Sequence, residues 1–274
     1  MVTVGKVEIV PLFDATMDFD WRMFFPNNSA ADFDPYRDVY PAAYSPDGKF
    51  RTQAHCYAVR SQGRTLLIDT GVGPGPIDWL GGVRGRLLEE MSSKGIRPDD
   101  VQTVAFTHLH GDHVGWNVAA GGKPTFPRAR YLVPQADWDH FTSPGMIAQS
   151  GAQQAVVPLK ESGVMELFSG EVALTEEVTS LPTPGHTPGH TSFLISSQGE
   201  RAIITGDLAH HPAQVDRTEW CSGFDTEPAG ATESRRKVFD RLESEGLIAA
   251  LCHFPGDGVG RLVRLEGRRV FQAL

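Results

Sequence analysis

Cysteine is scarce in this chain. Among 274 residues there are three, Cys56, Cys221 and Cys252, far apart and odd in number. No Cys-x-x-Cys pair occurs, which argues against a disulfide framework. All three read as packing residues, with free thiols that suit a cytosol. Cys252 precedes a histidine, and on an extended strand its side chain is expected to point away from that of His253. Long apolar runs are absent as well. None approaches the ~20 residues that span a bilayer. Met1 to Lys6 lacks the charged region and apolar core of a signal peptide, so the expectation is an unprocessed cytoplasmic protein. Basic charge is also short. The formal net charge is −9 and the isoelectric point about 5.5, which argues against a nucleic-acid surface and reads as simple solubility. There is no low-complexity segment, coiled coil or flexible linker. With 40% hydrophobic and 22% charged residues the chain resembles an ordinary globular protein. Its length suits one large α/β domain, expected over 1–274.

What is present is histidine in one place. The stretch Thr107-His108-Leu109-His110-Gly111-Asp112-His113 puts four metal-capable side chains within six residues. It follows an apolar run, Val101 to Phe106, that reads as a buried strand. Residues two apart on a strand point the same way, so His108 and His110 can leave its end on one side. Gly111 is expected to allow a sharp turn that brings Asp112 and His113 round to face them. A lone histidine is usually a core or surface residue; three with an aspartate form a ligand cluster. Imidazole nitrogen and carboxylate oxygen suit zinc, iron or manganese.

More such residues stand farther along. Thr183 to His190 is a loop punctuated by Gly and Pro that carries His186 and His190. Either has the right chemistry for a ligand. Ile203 to Asp207 reads as a strand ending in Gly-Asp, and the apolar run Leu247 to Cys252 ends at His253. Ligand-type residues thus fall at strand ends or in Gly/Pro loops.

The remaining chain predicts the scaffold. Val7 to Phe13 reads as a first strand. Residues 14–49 form an aromatic insertion with no steady period, read as a packed surface loop, a lid or a dimer interface. As a lid, Trp21, Phe24 and Phe25 would wall an apolar pocket. Gln53 to Arg60 and Thr65 to Asp69 read as a hairpin. Val83 to Lys94 has helical spacing and stops at Gly95. Strand–helix–strand order favours an α/β sandwich. Residues 143–159 give a weaker helical pattern that could form a second flap. A hairpin over 192–205 delivers Asp207, a helix opens at Thr232 or Glu233, and 261–271 closes the chain as a hairpin.

His-x-His-x-Asp-His at 108–113, Gly-His-Thr-Pro-Gly-His at 185–190, Thr-Gly-Asp at 205–207 and the late His253 resemble, in type and order, the metallo-β-lactamase-fold hydrolase superfamily. The resemblance spans residues 69 to 253 and implies an α/β four-layer αββα sandwich. It implies two divalent ions, zinc first, with iron or manganese compatible. His108, His110 and His186 would hold one, Asp112, His113 and His253 the other, and Asp207 would bridge them. His190 would support its loop. Asp69 would orient a histidine ligand, although an aspartate at this position could equally cap a turn. A bridging hydroxide would attack an ester or lactone carbonyl, and Asp112 would also shuttle the proton.

The branch follows from departures. Asp207 is not the cysteine of thiolate-using β-lactamases, and His110 is not the glutamate of flavodiiron proteins. Little follows Gly230, unlike glyoxalase II. What remains resembles lactonases and organophosphate hydrolases, and the expected substrate is a small, partly apolar molecule. A thioesterase or phosphotriesterase on the same site is the alternative. An iron-dependent oxidoreductase, or a metal-binding protein without hydrolytic activity, is the alternative from another class. Some lactonases of this branch carry a tyrosine near position 210 that bonds the substrate carbonyl. His210 is a candidate for that role, against a more ordinary reading as a surface histidine.

Overall fold

The computed structural model describes residues 1–274. Seven strands form a first sheet, in chain order: β1 (Val2–Val4), β2 (Val7–Phe19), β3 (Phe50–Ser61), β4 (Arg64–Ile68), β5 (Val101–Ala105), β6 (Arg130–Pro134) and β7 (Met165–Phe168). The first four pair antiparallel, and β4 to β7 run parallel. Six more build the second sheet: β8 (Val178–Pro182), β9 (Thr191–Ser197), β10 (Glu200–Ile204), β11 (Ile248–Ala250), β12 (Val259–Leu265) and β13 (Arg268–Ala273). The parallel pair β10–β11 is joined through the helix Pro228–Ser244.

Strand alternation decides the layering. On β3, Tyr57 and Val59 face the second sheet while Cys56 and Ala58 face the opposite way. On β10, Ala202 and Ile204 face the first sheet and Ile203 faces outward. Both sheets therefore bury two faces and need helices outside. Leu87 and Met91 of the helix Leu87–Ser93 cover one outer face. Val238, Phe239 and Leu242 of Pro228–Ser244 cover the other. Three apolar clusters at three interfaces make the four-layer αββα sandwich expected from the sequence. No helix is long and apolar enough to cross a membrane.

Two sequence boundaries move. The first strand continues past Phe13 to Phe19, through a bulge between Phe13 and Ala15, so the insertion is the tip of a long β2–β3 hairpin. Asp14, at the bulge, turns inward and accepts hydrogen bonds from the backbone of Val72 and Leu87 and from Trp116 Nε1. The aromatics of the tip are core residues. Trp21, Phe25 and Phe33 pack with Phe50 and His211 beside the second sheet. Of the three residues expected to wall a pocket, Phe24 does so and Trp21 and Phe25 do not. The segment shows no steady period because it is built of short helical turns, Trp21–Phe24, Ala30–Tyr36 and Pro41–Ala43. Likewise 143–159 resolves into turns and two short helices, Ala152–Ala155 and Val157–Glu161.

Candidate metal centre

The ends of β5, β10 and β11 and the loop after β8 meet at one edge of the two sheets. β5 stops at Ala105, and the chain carries His108 inward, fully buried. His110 then caps a one-turn helix, Gly111–Val114, which swings Asp112 and His113 back to the same side. Gly111 was expected to allow this reversal as a sharp turn. It has an ordinary φ, and a Cβ there would meet nothing, because the reversal is helical and open to any residue. The demanding glycine is Gly206, at φ +58°, where a Cβ would come within 2.7 Å of Thr107 and 2.8 Å of His190 Nε2. Only glycine lets β10 turn there and present Asp207.

Asp207 lies between two groups of donors. In the first, His110 Nδ1 is 3.1 Å from His108 Nε2 and 2.9 Å from His186 Nε2. His186 Nε2 is 3.2 Å from Asp207 Oδ2. In the second, His113 Nε2 and His253 Nε2 each lie 3.1 Å from Asp207 Oδ1. Asp112 Oδ2 stands 3.7 Å from His113 Nε2 and 3.6 Å from His253 Nε2. Burial alone would raise the Asp207 carboxyl, but the surrounding imidazoles, His113 and His253 foremost, hold it well below its usual range. Burial, helped by neighbouring rings, pushes His108 and His110 well below the ordinary imidazole value, so both are neutral with a free lone pair.

The far side of each ring shows why cations fit. His113 Nδ1 donates to Asp69 Oδ2 at 2.9 Å, His186 Nδ1 to Asp225 Oδ1 at 2.8 Å, and His253 Nδ1 to Gln53 O at 2.7 Å. With those protons placed outward, the inward Nε2 atoms of neutral rings would face a carboxylate with lone pairs. Burial alone would lower these rings, but the Asp207 charge accordingly raises His113, His186 and His253 above the ordinary imidazole value, so that positive charge is favoured inside the cluster. His113 Nε2 is buried and, although 3.1 Å from Asp207 Oδ1, makes no well-aligned hydrogen bond. Such an arrangement is repulsive without positive charge inside it, and outward partners of this kind are what orient metal-binding histidines. The donor set therefore fits two divalent ions.

The supporting residues come from everywhere in the chain. Asp69, at φ +62°, also accepts from Thr107 N at 2.8 Å and Thr107 Oγ1 at 2.7 Å, so it holds a turn and a histidine together. His190 stays out of the donor groups. Its Nδ1 meets Thr183, and its Nε2 accepts the Asp207 backbone N–H at 2.9 Å. Asp225 and Asp137 have no sequence signature and went unforeseen. Asp137 reaches from the helix Gln135–Phe141 to accept from Leu109 N at 3.1 Å, Thr187 Oγ1 at 2.9 Å and Gly189 N at 2.6 Å. It thereby ties the 108–113 turn to the 183–190 loop, and burial pushes its carboxyl up to about 6.

Two expectations need correction. His210 is not a surface residue. It is 1% exposed, its Nε2 lies 3.2 Å from Asp207 Oδ2, and its ring is packed between Phe24 and His253. The aromatic hairpin tip covers a loop that polarity alone would have left outside. Cys252 does not point away from the cluster: its Sγ is 3.2 Å from Asp207 Oδ1. β11 ends at Ala250, so strand alternation no longer governs residue 252.

A cavity of about 590 Å³ opens onto the donors. His110, Asp112, His186, Asp207, His210 and His253 line its floor. Met17, Phe19, Phe24, Val72, Ile77, Trp79, Phe141, Met146 and Phe224 line its walls. Gln149 and Ser150 bring the 143–159 segment to the same cavity. A polar floor under apolar walls suits a molecule with a polar head and an apolar tail.

Residues 50–253 match the family model of the metallo-beta-lactamase superfamily. An N-acyl homoserine lactonase of Bacillus thuringiensis is 24% identical over 218 residues, covering 74% of this chain and 82% of the relative. The hydrolase AbOPH of the beta-lactamase superfamily superposes with a TM-score of 0.86 at 25% identity, over 100% of this chain and 96% of its own. AidC, a dizinc quorum-quenching lactonase solved with the product N-hexanoyl-L-homoserine, superposes with a TM-score of 0.86 at 21% identity and the same coverage.

Proposed function

Because the chain belongs to the metallo-beta-lactamase superfamily, we propose that it is a dinuclear-metal hydrolase that opens lactones bearing an apolar tail, acyl-homoserine lactones foremost. The observation that carries this reading is the pair of donor groups sharing Asp207 at the floor of an apolar cavity. The Bacillus thuringiensis relative, an N-acyl homoserine lactonase, points to the same substrate class.

His108, His110 and His186 would hold one ion, and His113 and His253, with Asp112 beside them, the other; Asp207 would serve both. When bound, two such ions supply Lewis acidity and a water acidified toward neutral pH. The chain's own residues do the rest. Met17, Phe19 and Phe24 hold the tail, which fixes the carbonyl over the floor and removes water from the walls. Asp112, with a side chain 27% exposed on that floor, is placed to take a proton from the attacking water and give it to the leaving oxygen. His210, whose backbone N–H is held by Gln214 Oε1, carries an Nε2 now 3.2 Å from Asp207 Oδ2; with Asp207 engaged by the ions, that Nε2–H would be free to donate to the carbonyl oxygen as charge grows there. Three free cysteines agree with a reducing cytoplasm as the place of action.

The test is acid release in weak buffer on lactones of graded chain length, with metal-stripped and zinc-restored samples in parallel. Release that requires zinc and favours a chain length supports the reading. Release from thioesters or phosphotriesters, with none from any lactone, would replace it.

A further inference from the structure

His210 leaves an irregular stretch of chain between β10 and the helix Pro228–Ser244, with no strand or long helix to aim it. One buried amide sets its position. Gln214 is fully buried. Its Oε1 accepts from the backbone N–H of His210 at 2.7 Å and of His211 at 3.0 Å, and its Nε2 donates to Trp220 O at 2.8 Å. A glutamine that merely caps the one-turn helix Pro212–Val215 needs only the His211 bond. The bond to His210 is additional. It fixes the backbone at the point where two rings part. His210 reaches the cavity floor, its Nε2 3.2 Å from Asp207 Oδ2, while the His211 ring packs against Trp21, Phe33 and Tyr44 of the hairpin tip.

The amide is anchored in turn. Trp220 O also accepts from Arg235 Nη1 at 3.0 Å, and the same nitrogen donates to Thr218 O at 2.7 Å. Arg235 Nε donates to Leu208 O, next to Asp207. One fully buried guanidinium on a 17-residue helix thus pins both ends of 208–220, and Gln214 ties its middle to His210. We propose that Gln214, anchored through Arg235, is a positioning residue that aims His210 Nε2 at the substrate carbonyl. The proposal rests on His210 as the carbonyl donor and adds what holds that donor in place. Gln214 does not line the cavity, so it acts only through the chain it holds. Without the amide, two buried N–H groups lose their acceptor and the turn relaxes toward others. A shift of about 1 Å in a group that bonds the reacting oxygen costs on the order of 100-fold in rate.

Zinc-loaded enzyme turning over N-hexanoyl homoserine lactone tests this. Gln214→Met keeps the side chain's length and removes both polar ends. It is expected to keep two zinc ions per chain and a KM near the unmutated value, while kcat falls roughly 10- to 100-fold. On a His210→Phe background the same change is expected to cost nothing further, because the donor it aims is already gone. Gln214→Glu, which keeps an acceptor for both N–H groups, is expected to recover most of the lost kcat, and it decides alone where Gln214→Met does not fold. An unchanged kcat in Gln214→Met would overturn the proposal. So would an equal loss with and without His210, which is what a role in stability alone gives. A Gln214→Glu enzyme as slow as His210→Phe would overturn it too. If His210→Phe itself leaves kcat unchanged, the carbonyl-donor reading falls first and the proposal with it. No turnover of any lactone by the unmutated enzyme would bring down the lactone-opening reading and both assignments built on it.

Discussion

Replacing Asp225 with asparagine separates a metal-orienting carboxylate from an ordinary buried ion pair. Asp225 Oδ1 is 2.8 Å from His186 Nδ1, and Asp225 Oδ2 is 3.5 Å from Arg235 Nη2. Burial alone would raise the Asp225 carboxyl, but His186 above all, with His210 and Arg235, holds it well below its usual range. The charge therefore strengthens His186 as a donor and fixes its ring. Asparagine keeps an oxygen for the Nδ1 proton and loses the charge. Loss of such an outer partner weakens metal binding roughly 10- to 100-fold, about 1.4 to 2.8 kcal/mol. The weakening should fall on the ion held by His186 and spare the one near His113 and His253. A second cost belongs to the fold. Arg235 is fully buried, its Nη2 has no hydrogen-bond partner, and it would lose its only nearby anion. Zinc titration against a chromophoric chelator reads the first effect, and melting of the metal-stripped protein reads the second. Unchanged zinc affinity at both sites, together with a lowered melting temperature, would show that Asp225 serves Arg235 alone and refute the reasoning.

Further substitutions probe the other assignments. His190→Ala should keep two metals per chain by elemental analysis yet melt earlier, since the buried Asp207 N–H loses its acceptor, a cost of about 1–3 kcal/mol; loss of a metal would instead make His190 a ligand. His210→Phe keeps the packing against Phe24 and His253 and removes the donor, so kcat should fall on the order of 100-fold with the metal content unchanged. An unchanged kcat would reduce His210 to a packing residue. Phe24→Ala removes a cavity wall. Long-chain lactones should then lose roughly tenfold or more in kcat/KM while the shortest lose little; equal losses across the series would place the tail elsewhere.

Local chemistry was legible in the chain. His108, His110, Asp112 and His113 lie so close in sequence that almost any backbone leaving β5 keeps them near one another. The apolar runs before His108, Asp207 and His253 gave the strands, because a period of two is a property of neighbouring residues. Spacing could not choose between His186 and His190, four residues apart in one loop. Packing separates them, since His190 is spent on the Asp207 backbone, whereas His186 is backed by Asp225 and turns its Nε2 toward His110 and Asp207.

The other decisions lie at separations that no local pattern encodes. Asp225 and Asp137 reach their partners across 39 and 52 residues of chain. His210 looked like a loop histidine until the hairpin tip, some 180 residues upstream, closed over it. The tip's own aromatics signalled burial but not against what, for their partners sit on a helix and strands near the other end of the chain. Cys252 was misjudged because alternation was carried two residues past the end of β11. The sequence by itself determined which chemistry gathers here, since side-chain type and near spacing are written in it. The tertiary structure alone decided which donors face each other, which stand behind them and what covers them, because those distances are set by how two sheets pack.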